Sequence, residues 1–382
     1  MRVCSIVGAR PQFVKAGVVS QAMRRSGRID EILIHTGQHY DENMSDVFFR
    51  DCGLPAPDIN LGVGSGRHGA QTARMLESLE AVLSDRAPHV VVVYGDTNST
   101  LAGALAAAKL NIPTAHVEAG LRSFNRRMPE EVNRIVADSV ADLLFAPTEH
   151  AVQQLRREGH PESRIVWSGD VMYDAALLAA DVATRESRML DALGLADGEY
   201  VLATVHRAEN TDDPRRLRVI AEALAIVAQR YPVVLPLHPR TRAALRQHGL
   251  LDALSRGPVR VIEPVGFVDM VRLEMGAHAV MTDSGGVQKE AFFYGVPCFV
   301  LREETEWVEL VEAGWNSLVP PTDAATMAQC ILSDEVGARQ AVRPYGEGRA
   351  AEVIVEHLLR RYGEVAPRVE MLTTADASAR PA

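Results

Sequence analysis

The chain has 382 residues, which is enough for two domains with complete hydrophobic cores. Its net charge of −10 argues against a nucleic-acid-binding protein, because such proteins present basic surfaces. No apolar run is long enough to cross a membrane, the N-terminus enters a strand without a signal peptide, and the four cysteines form no CxxC pair. These features together predict a cytoplasmic enzyme.

Short apolar runs alternate with helical segments through the first half of the chain. The second half repeats this alternation, so the sequence predicts an α/β protein of two doubly wound domains. We expect the N-terminal domain at 1–170, the C-terminal domain at 171–364 and a disordered tail at 365–382. We expect the helix near the C-terminus to pack back on the N-terminal domain. The predicted strands are Val3–Val7, Glu31–His35, Pro88–Tyr94, Ile112–Val117, Asp142–Pro147, Arg164–Ser168, Tyr200–Val205, Val233–Leu237, Val259–Ile262, Ala277–Met281 and Cys298–Leu301.

Polar side chains follow several strands of the first half. Arg10 and Lys15 flank the turn Gly8-Ala-Arg-Pro and are equally consistent with an anion site and with a solvated basic pair. Asp96 follows the most apolar strand, where it is either a helix cap or a functional group. Glu118 precedes Ala-Gly and is harder to explain as a cap. Because ligands bind beyond the carboxyl ends of parallel strands, these positions are candidate site residues.

The most informative segment of the second half is Met281–Pro297. Asp283 or Ser284 caps a helix whose first turn contains Gly285 and Gly286, and free N–H groups at a helix start favour a phosphate. Glu290 lies one turn further on the same face as Gly286, where it could accept hydrogen bonds from ribose hydroxyls. The alternative is an ordinary strand–helix turn with glycines for packing.

The motifs resemble those of the non-hydrolysing UDP-N-acetylglucosamine 2-epimerases. The similarity runs from residue 8 to about residue 318. The matching segments are Gly8-Ala-Arg-Pro, His35-Thr-Gly-Gln-His39, Tyr94-Gly-Asp-Thr-Asn-Ser-Thr100, His116-Val-Glu-Ala-Gly-Leu-Arg122, Pro129-Glu-Glu-Val-Asn-Arg134, His206-Arg-Ala-Glu-Asn210, His238-Pro and Asp283-Ser-Gly-Gly-Val-Gln-Lys-Glu290. The resemblance implies a GT-B-like fold of two Rossmann-like domains with a ligand cleft between them. It also implies a cytoplasmic homodimer that uses no metal or redox cofactor.

The reaction implied is inversion of C2 in UDP-GlcNAc, giving UDP-ManNAc by elimination and re-addition of UDP. By family position the catalytic residues would be Asp96, Glu118, Glu130 and His206. The residues that would bind the UDP-sugar are Arg10, Lys15, Arg134, Ser284, Gly285, Gly286, Glu290, Met270 and Arg302. Gln38 and His238 match positions that hold a second, activating UDP-GlcNAc in some relatives, although Tyr40-Asp-Glu-Asn-Met44 departs from the pattern of those relatives.

Two departures concern the nucleotide-sugar. Trp307 stands where the family commonly has an arginine, and Met270 stands where a phenylalanine is usual. The Trp-Val-Glu version of the segment is similar to the subgroup acting on UDP-2,3-diacetamido-2,3-dideoxyglucuronic acid, which is therefore an alternative substrate. More remote alternatives are a GT-B glycosyltransferase, a hydrolysing 2-epimerase and a non-catalytic UDP-sugar-binding module.

Overall fold

The computed structural model describes residues 1–38, 55–333 and 339–364, with the side chain of Arg10 excepted. The chain forms two compact units. The first contains Met1–Ala175 and also takes in the described residues from Pro344 onward, and the second contains Ala176–Arg343. The predicted tail at 365–382 and the segment Tyr40–Met44 lie outside the described residues.

The first unit is built on a seven-stranded sheet in which all strands are parallel. Its strand order is β3-β2-β1-β4-β5-β6-β7, so the winding reverses between β1 and β4. The central strand reads Val-Val-Val-Val-Tyr and is buried on both faces, as a parallel sheet covered by helices requires. The strands are β1 (Arg2–Val7), β2 (Asp30–His35), β3 (Ile59–Asn60), β4 (Val90–Tyr94), β5 (Thr114–Val117), β6 (Leu143–Ala146) and β7 (Ile165–Trp167).

Helices cover both faces of this sheet. The helices are α1 (Arg10–Ser26), α2 (His68–Arg86), α3 (Asn98–Lys109), α4 (Pro129–Val140), α5 (Glu149–Arg157), a 3₁₀ turn at Glu162–Arg164, and α16 (Ala350–Tyr362) from the C-terminal part of the chain. One core joins alternate strand residues such as Val3 and Val92 to α1 and α16. The other joins the intervening residues, such as Cys4 and Val93, to α2 and α3. Period-two alternation thus distributes the apolar side chains between two layers.

The second unit repeats the design with a six-stranded parallel sheet. Its order is β10-β9-β8-β11-β12-β13, which again reverses next to its first strand. The reversal lies between β8 and β11. The strands are β8 (Val201–Thr204), β9 (Val233–Pro236), β10 (Val259–Ile262), β11 (Ala279–Thr282), β12 (Cys298–Val300) and β13 (Asn316–Leu318).

Two cores again lie on opposite faces of the second sheet. One contains Ala203 and packs under the helices at 214–227, 239–247 and 324–332, and the other contains Leu202 and packs under the helices at 267–275 and 285–293. The helix α6 (Val171–Glu186) begins in the first unit and continues into the second. The remaining helices are α7 (Met189–Leu193), α8 (Ala208–Thr211), α9 (Pro214–Val227), α10 (Pro239–Gln247), α11 (Leu251–Arg256), α12 (Phe267–Met275), α13 (Gly285–Phe293), α14 (Val308–Glu312) and α15 (Ala324–Leu332).

The predicted class of two doubly wound parallel α/β domains is confirmed. Two edge strands, β3 and β13, escaped prediction because they are short and contain polar residues, with the sequences Ile-Asn and Asn-Ser-Leu. The chain passes from the first unit to the second through two helices, α6 and α7, which are separated at Ser187–Arg188. Within the described ranges, no helix is both long and apolar enough to cross a membrane.

Candidate functional site

The turn after β1 is closed by side chains of the same unit. The Gln12 carboxamide oxygen accepts hydrogen bonds from the backbone N–H groups of Gly8 (2.8 Å) and Ala9 (3.0 Å), and its nitrogen donates to the Tyr94 carbonyl (2.8 Å). This side chain therefore ties the start of α1 to the end of β4. Arg10, the first residue of α1, has a side chain outside the described part of the structure.

Lys15 and Glu118 form an ion pair at the ends of β4 and β5. The Lys15 ammonium bonds to Glu118 Oε2, and both side chains are largely buried, with 12% and 16% exposed. A Cβ added at Gly95 would lie 3.1 Å from that carboxylate oxygen, so glycine leaves room for the pair. Burial alone would lower the pKa of Lys15, but the Glu118 carboxylate outweighs burial and raises that pKa.

The backbone of Glu118 is in the left-handed region, with a φ of 72°. For a residue that carries a Cβ, this backbone conformation raises the free energy by about 1 kcal/mol or more. The backbone N–H groups of Glu118 and Ala119 both donate to the Phe145 carbonyl, at 3.1 and 3.0 Å, which holds the strained turn in place. Strain of this kind is found at functional positions, so it supports the candidate role of Glu118.

Asp96 is joined to Arg134 and through it to Glu131. Arg134 donates to Asp96 Oδ2 at 2.5 Å and to Glu131 Oε2 at 2.7 Å. Glu131 is buried and accepts the backbone N–H groups of Ser123 and Phe124, both at 2.9 Å. Burial would raise the pKa of Glu131, but these donors and Arg134 lower it. Glu131 therefore has a structural task.

The neighbouring candidate, Glu130, is exposed in the first turn of α4. We call Asp96 and Glu118, together with their cationic partners Arg134 and Lys15, the acidic cluster of the first unit.

Gln38, which was assigned to a regulatory position, accepts hydrogen bonds from the backbone N–H of Ser99 at 3.1 Å and from the Ser99 hydroxyl at 2.7 Å.

In the second unit, Asp283 organises the loop after β8. This carboxylate is fully buried, and it accepts the backbone N–H groups of His206 and Arg207 and the Asn210 carboxamide N–H, all at 3.0 Å. The sequence motif contained Asp283, but the sequence could not show that it binds a loop some 75 residues earlier in the chain. Loop and helix start are thereby held together at the reversal between β8 and β11.

The same arrangement places the His206 ring next to Asp283, with Nδ1 3.5 Å from Oδ1. Burial lowers the pKa of His206, and the charge of nearby His238 lowers it further, although Asp283 acts in the opposite direction. The two imidazole rings have centroids 5.5 Å apart, and His238 also caps α10. A neutral imidazole at neutral pH can both accept and donate a proton.

The first turn of α13 offers backbone donors. Ser284 is its N-cap, followed by Gly285 and Gly286. A Cβ at Gly285 would meet Arg207 and Glu306 at 3.6 Å, and one at Gly286 would meet only Ser284 Oγ at 3.9 Å. The glycines therefore leave the helix start accessible, and its dipole and N–H groups suit an anion.

Charged side chains surround this helix start. Arg302 donates to Glu306 at 2.8 Å and lies 3.3 Å from Glu209, and Arg207 lies 3.6 Å from Glu306. Sequence reasoning missed Arg207 and Glu306. The only available signal for Arg207 was its place in the His-Arg-Ala-Glu-Asn motif. We call Ser284, Gly285 and Gly286, with Arg207 and Arg302, the α13 cradle.

Trp307 contacts the α13 cradle at the Gly285 carbonyl. Its indole N–H donates to the Gly285 carbonyl at 2.7 Å, and its ring lies 4.5 Å from the Lys289 ammonium. Glu290 lies further along the helix, partly buried, and burial raises its pKa. Met270, on α12, packs partly buried against the neighbouring core.

The arrangement thus comprises two groups, one at the strand ends of each unit. The first has carboxylates with cationic partners, and the second has a glycine-containing helix start beside arginines and a histidine. No cluster of three or more His, Cys, Asp or Glu side chains suited to a metal ion occurs among the residues whose positions are described.

Comparison with known proteins identifies the family. The protein-family model described as UDP-N-acetylglucosamine 2-epimerase matches residues 21–359 of the chain. The UDP-2,3-diacetamido-2,3-dideoxy-D-glucuronate 2-epimerase of Pseudomonas aeruginosa is 50% identical over 364 residues, covering 94% of this chain and 100% of that protein.

Two solved structures are also similar throughout. The UDP-GlcNAc 2-epimerase of Methanocaldococcus jannaschii has a TM-score of 0.87 and 41% identity, covering 94% of this chain and 100% of that one. The Neisseria meningitidis enzyme bound to UDP-GlcNAc has a TM-score of 0.82 and 30% identity, with the same coverage. The predicted family, isomerase class and GT-B-like fold are confirmed, and this chain belongs to the UDP-N-acetylglucosamine 2-epimerase family.

Proposed function

We propose that the protein inverts C2 of a UDP-activated 2-acetamido sugar by eliminating and re-adding UDP. A base removes the C2 proton while the C1–O bond to UDP breaks, which gives a 2-acetamidoglucal and UDP. UDP then adds back to C1, and a proton reaches the opposite face of C2. The observation that carries this proposal is the acidic cluster of a chain in this family, with Asp96 and Glu118 each beside a cation.

Two faces of one carbon require two positioned acid/base groups. We propose that these groups come from a set of four residues, namely Asp96, Glu118 and Glu130 in the first unit and His206 in the second. Glu130 rather than Glu131 belongs to this set, since Glu131 is buried and committed to the Ser123–Phe124 backbone. The neutral imidazole of His206 suits a proton shuttle.

The α13 cradle would hold the diphosphate. Backbone N–H groups at Ser284–Gly286 and the positive end of the helix favour negative charge, and Arg302 and Arg207 add fixed cations. We also assign Arg10, Lys15 and Arg134 to the substrate, Glu290 to the ribose and Met270 to the nucleotide. A stabilised diphosphate is a better leaving group, which assists removal of a weakly acidic proton.

The Pseudomonas aeruginosa relative points to a particular sugar. It is 50% identical over 94% of this chain and is named for UDP-2,3-diacetamido-2,3-dideoxy-D-glucuronate. Since this chain also carries the Trp307 version of the segment after β12, we propose that sugar as a substrate. UDP-GlcNAc is the second candidate, because the Neisseria meningitidis structure, 30% identical, binds it.

The decisive experiment is incubation with each nucleotide-sugar in deuterated water, followed by NMR of C2. Deuterium at C2 without accumulation of free UDP supports the proposal. UDP release in proportion to turnover would indicate a hydrolysing enzyme, and transfer of the intact sugar to an acceptor would indicate a glycosyltransferase. Tight UDP-sugar binding with no exchange would indicate a binding module.

Variants separate chemistry from binding. Asp96→Asn and Glu118→Gln should abolish exchange and leave UDP affinity unchanged, since the α13 cradle belongs to the other unit. Asp85→Asn, an exposed change on α2, is the matched control and should behave as wild type. Loss of UDP binding in the first two variants would contradict their assignment.

We further propose a cytoplasmic homodimer. Light scattering of the purified chain tests the dimer, and a monomer mass would contradict it. Gln38 and His238 are proposed to contribute to an activating site for a second UDP-GlcNAc. Activation would make the rate sigmoidal in UDP-GlcNAc, and a hyperbolic curve would contradict it.

A further inference from the structure

His116 lies in the middle of a buried ionic network beneath the acidic cluster. Its Nδ1 is 2.6 Å from Asp138 Oδ1, and its Nε2 is 2.7 Å from the Gly95 carbonyl oxygen. The side chains of His116 and Asp138 are both fully buried. Each ring nitrogen therefore faces an oxygen at hydrogen-bonding distance, and neither side chain is exposed to bulk water.

Asp138 is an ionised acceptor in this network. Its Oδ2 accepts the Gly120 backbone N–H at 3.1 Å and the Arg122 guanidinium at 2.7 Å, while Oδ1 faces His116. Burial would raise the pKa of Asp138, but His116 and Arg122 outweigh it and lower that pKa. A carboxylate with these partners has only lone pairs to offer.

A neutral imidazole cannot satisfy these neighbours. It carries one N–H, so its other nitrogen would direct a lone pair at an oxygen lone pair, either of Asp138 or of Gly95. An unmade buried hydrogen bond destabilises the folded state, and more so when the unpaired group faces a charge. Only the imidazolium donates from both nitrogens, and its charge with that of Arg122 balances Asp138 and Glu158.

We propose that His116 is a permanently protonated positioning residue, whose two N–H groups fix the turns that carry Asp96 and Glu118. The role of those two carboxylates rests on the proposed function above. The Gly95 carbonyl that His116 holds belongs to the peptide leading into Asp96. Asp138, on the other side of the ring, holds Gly120 at the end of the strained Glu118 turn.

The charged groups facing the ring come from several elements. Asp138 lies on α4, Glu118 and Arg122 follow β5, and Glu158 follows α5 and binds Arg122. Burial would lower the pKa of His116, but Asp138 and then the Gly95 carbonyl and Glu118 outweigh it and raise that pKa. The ring should therefore keep both protons where ordinary histidines, with a pKa of about 6.5, have lost one.

The test combines NMR of the ring with kinetics. In the intact protein the His116 ring, assigned by its absence in His116→Gln, should show two N–H protons from about pH 6 to 9. In Asp138→Asn the ring should become titratable in that range. A ring nitrogen without a proton in the intact protein, or an unchanged ring in Asp138→Asn, would overturn the proposal.

The kinetic readout separates positioning from general stability. His116→Gln should lower kcat about 100-fold, as expected for misplaced catalytic groups, while KM and UDP affinity stay unchanged. His150→Gln, an exposed histidine on α5, is the control. Unchanged kcat in folded His116→Gln would overturn the proposal. If the proposed function itself fails, the wild type incorporates no deuterium at C2, whereas the NMR result still reports the ring.

Discussion

Replacing Asp283 by asparagine should destabilise the second unit strongly. The carboxylate is fully buried and accepts three N–H donors at 3.0 Å, from His206, Arg207 and Asn210. Asparagine keeps one acceptor oxygen, and its amide nitrogen would face a backbone N–H. Each hydrogen bond to a charged group contributes about 1.5–3 kcal/mol, so losing one and weakening two predicts a loss of about 3–5 kcal/mol.

The assay uses the distribution of tryptophans. Of the three in the chain, Trp307 and Trp315 lie in the second unit and Trp167 in the first, where it is 52% exposed. In a Trp167→Phe background, urea unfolding followed by fluorescence therefore reports the second unit. For a domain of this size the loss corresponds to a fall in Tm of roughly 10 °C.

The matched control for this variant is Asp252→Asn, which changes an exposed aspartate in α11 of the same unit and should leave the unfolding midpoint unchanged. A loss below about 1 kcal/mol in Asp283→Asn would refute the reasoning, since it would mean that the loop is held by other contacts. UDP affinity should fall together with stability, because the same carboxylate aligns the α13 cradle.

Three further predictions concern other parts of the chain. Gly8→Ala would place a Cβ against two hydroxyl oxygens, so it should lower the free energy of unfolding by about 1–3 kcal/mol in thermal melts. The control Gly69→Ala, whose Cβ would have nothing within 4 Å, should melt as wild type does. Equal melting temperatures of the two variants would contradict the crowding at Gly8. Burial raises the pKa of Asp174 from 3.8 to about 6, so about 3 kcal/mol of stability present below pH 4 should be lost as pH rises through 6, and Asp174→Asn should remove this difference. If wild type and Asp174→Asn show the same pH dependence, that shift is wrong. Trp307→Phe keeps an aromatic side chain but loses the indole N–H that donates to the Gly285 carbonyl, so UDP affinity measured by calorimetry should fall by up to about tenfold. Unchanged affinity would show that this hydrogen bond does not support the cradle.

The strands of both sheets could be predicted because buried parallel strands are continuous apolar runs. Val90–Tyr94 is the clearest case, being buried at every position. The edge strand Asn316–Leu318 has no such run, because it is three residues long and two of the three are polar. Its position depends on the neighbouring strand, which a local pattern does not contain.

The candidate site was predictable as a set of strand-end residues but not as a set of partners. Lys15 appeared in the sequence as a basic residue near a turn, yet its partner, Glu118, lies 103 residues away. Likewise, Pro129-Glu-Glu reads as a helix start with two equivalent acids. The folded loop at Ser123–Phe124 supplies the physical distinction, since it buries Glu131 and leaves Glu130 exposed.

The return of the C-terminal part of the chain to the first unit has a consequence for biosynthesis. The core beneath α1 includes α16 residues such as Ile354 and Leu358, which the ribosome makes only after the whole of Ala176–Arg343. The second unit can therefore complete its core on the nascent chain, whereas the first must wait with an apolar stripe of α1 uncovered. Domains generally fold as they emerge from the ribosome. Here the first unit begins to emerge first but completes its core last, because that core needs the C-terminal helix. Until the C-terminal helix docks, this stripe exposes apolar surface of the kind that chaperones bind.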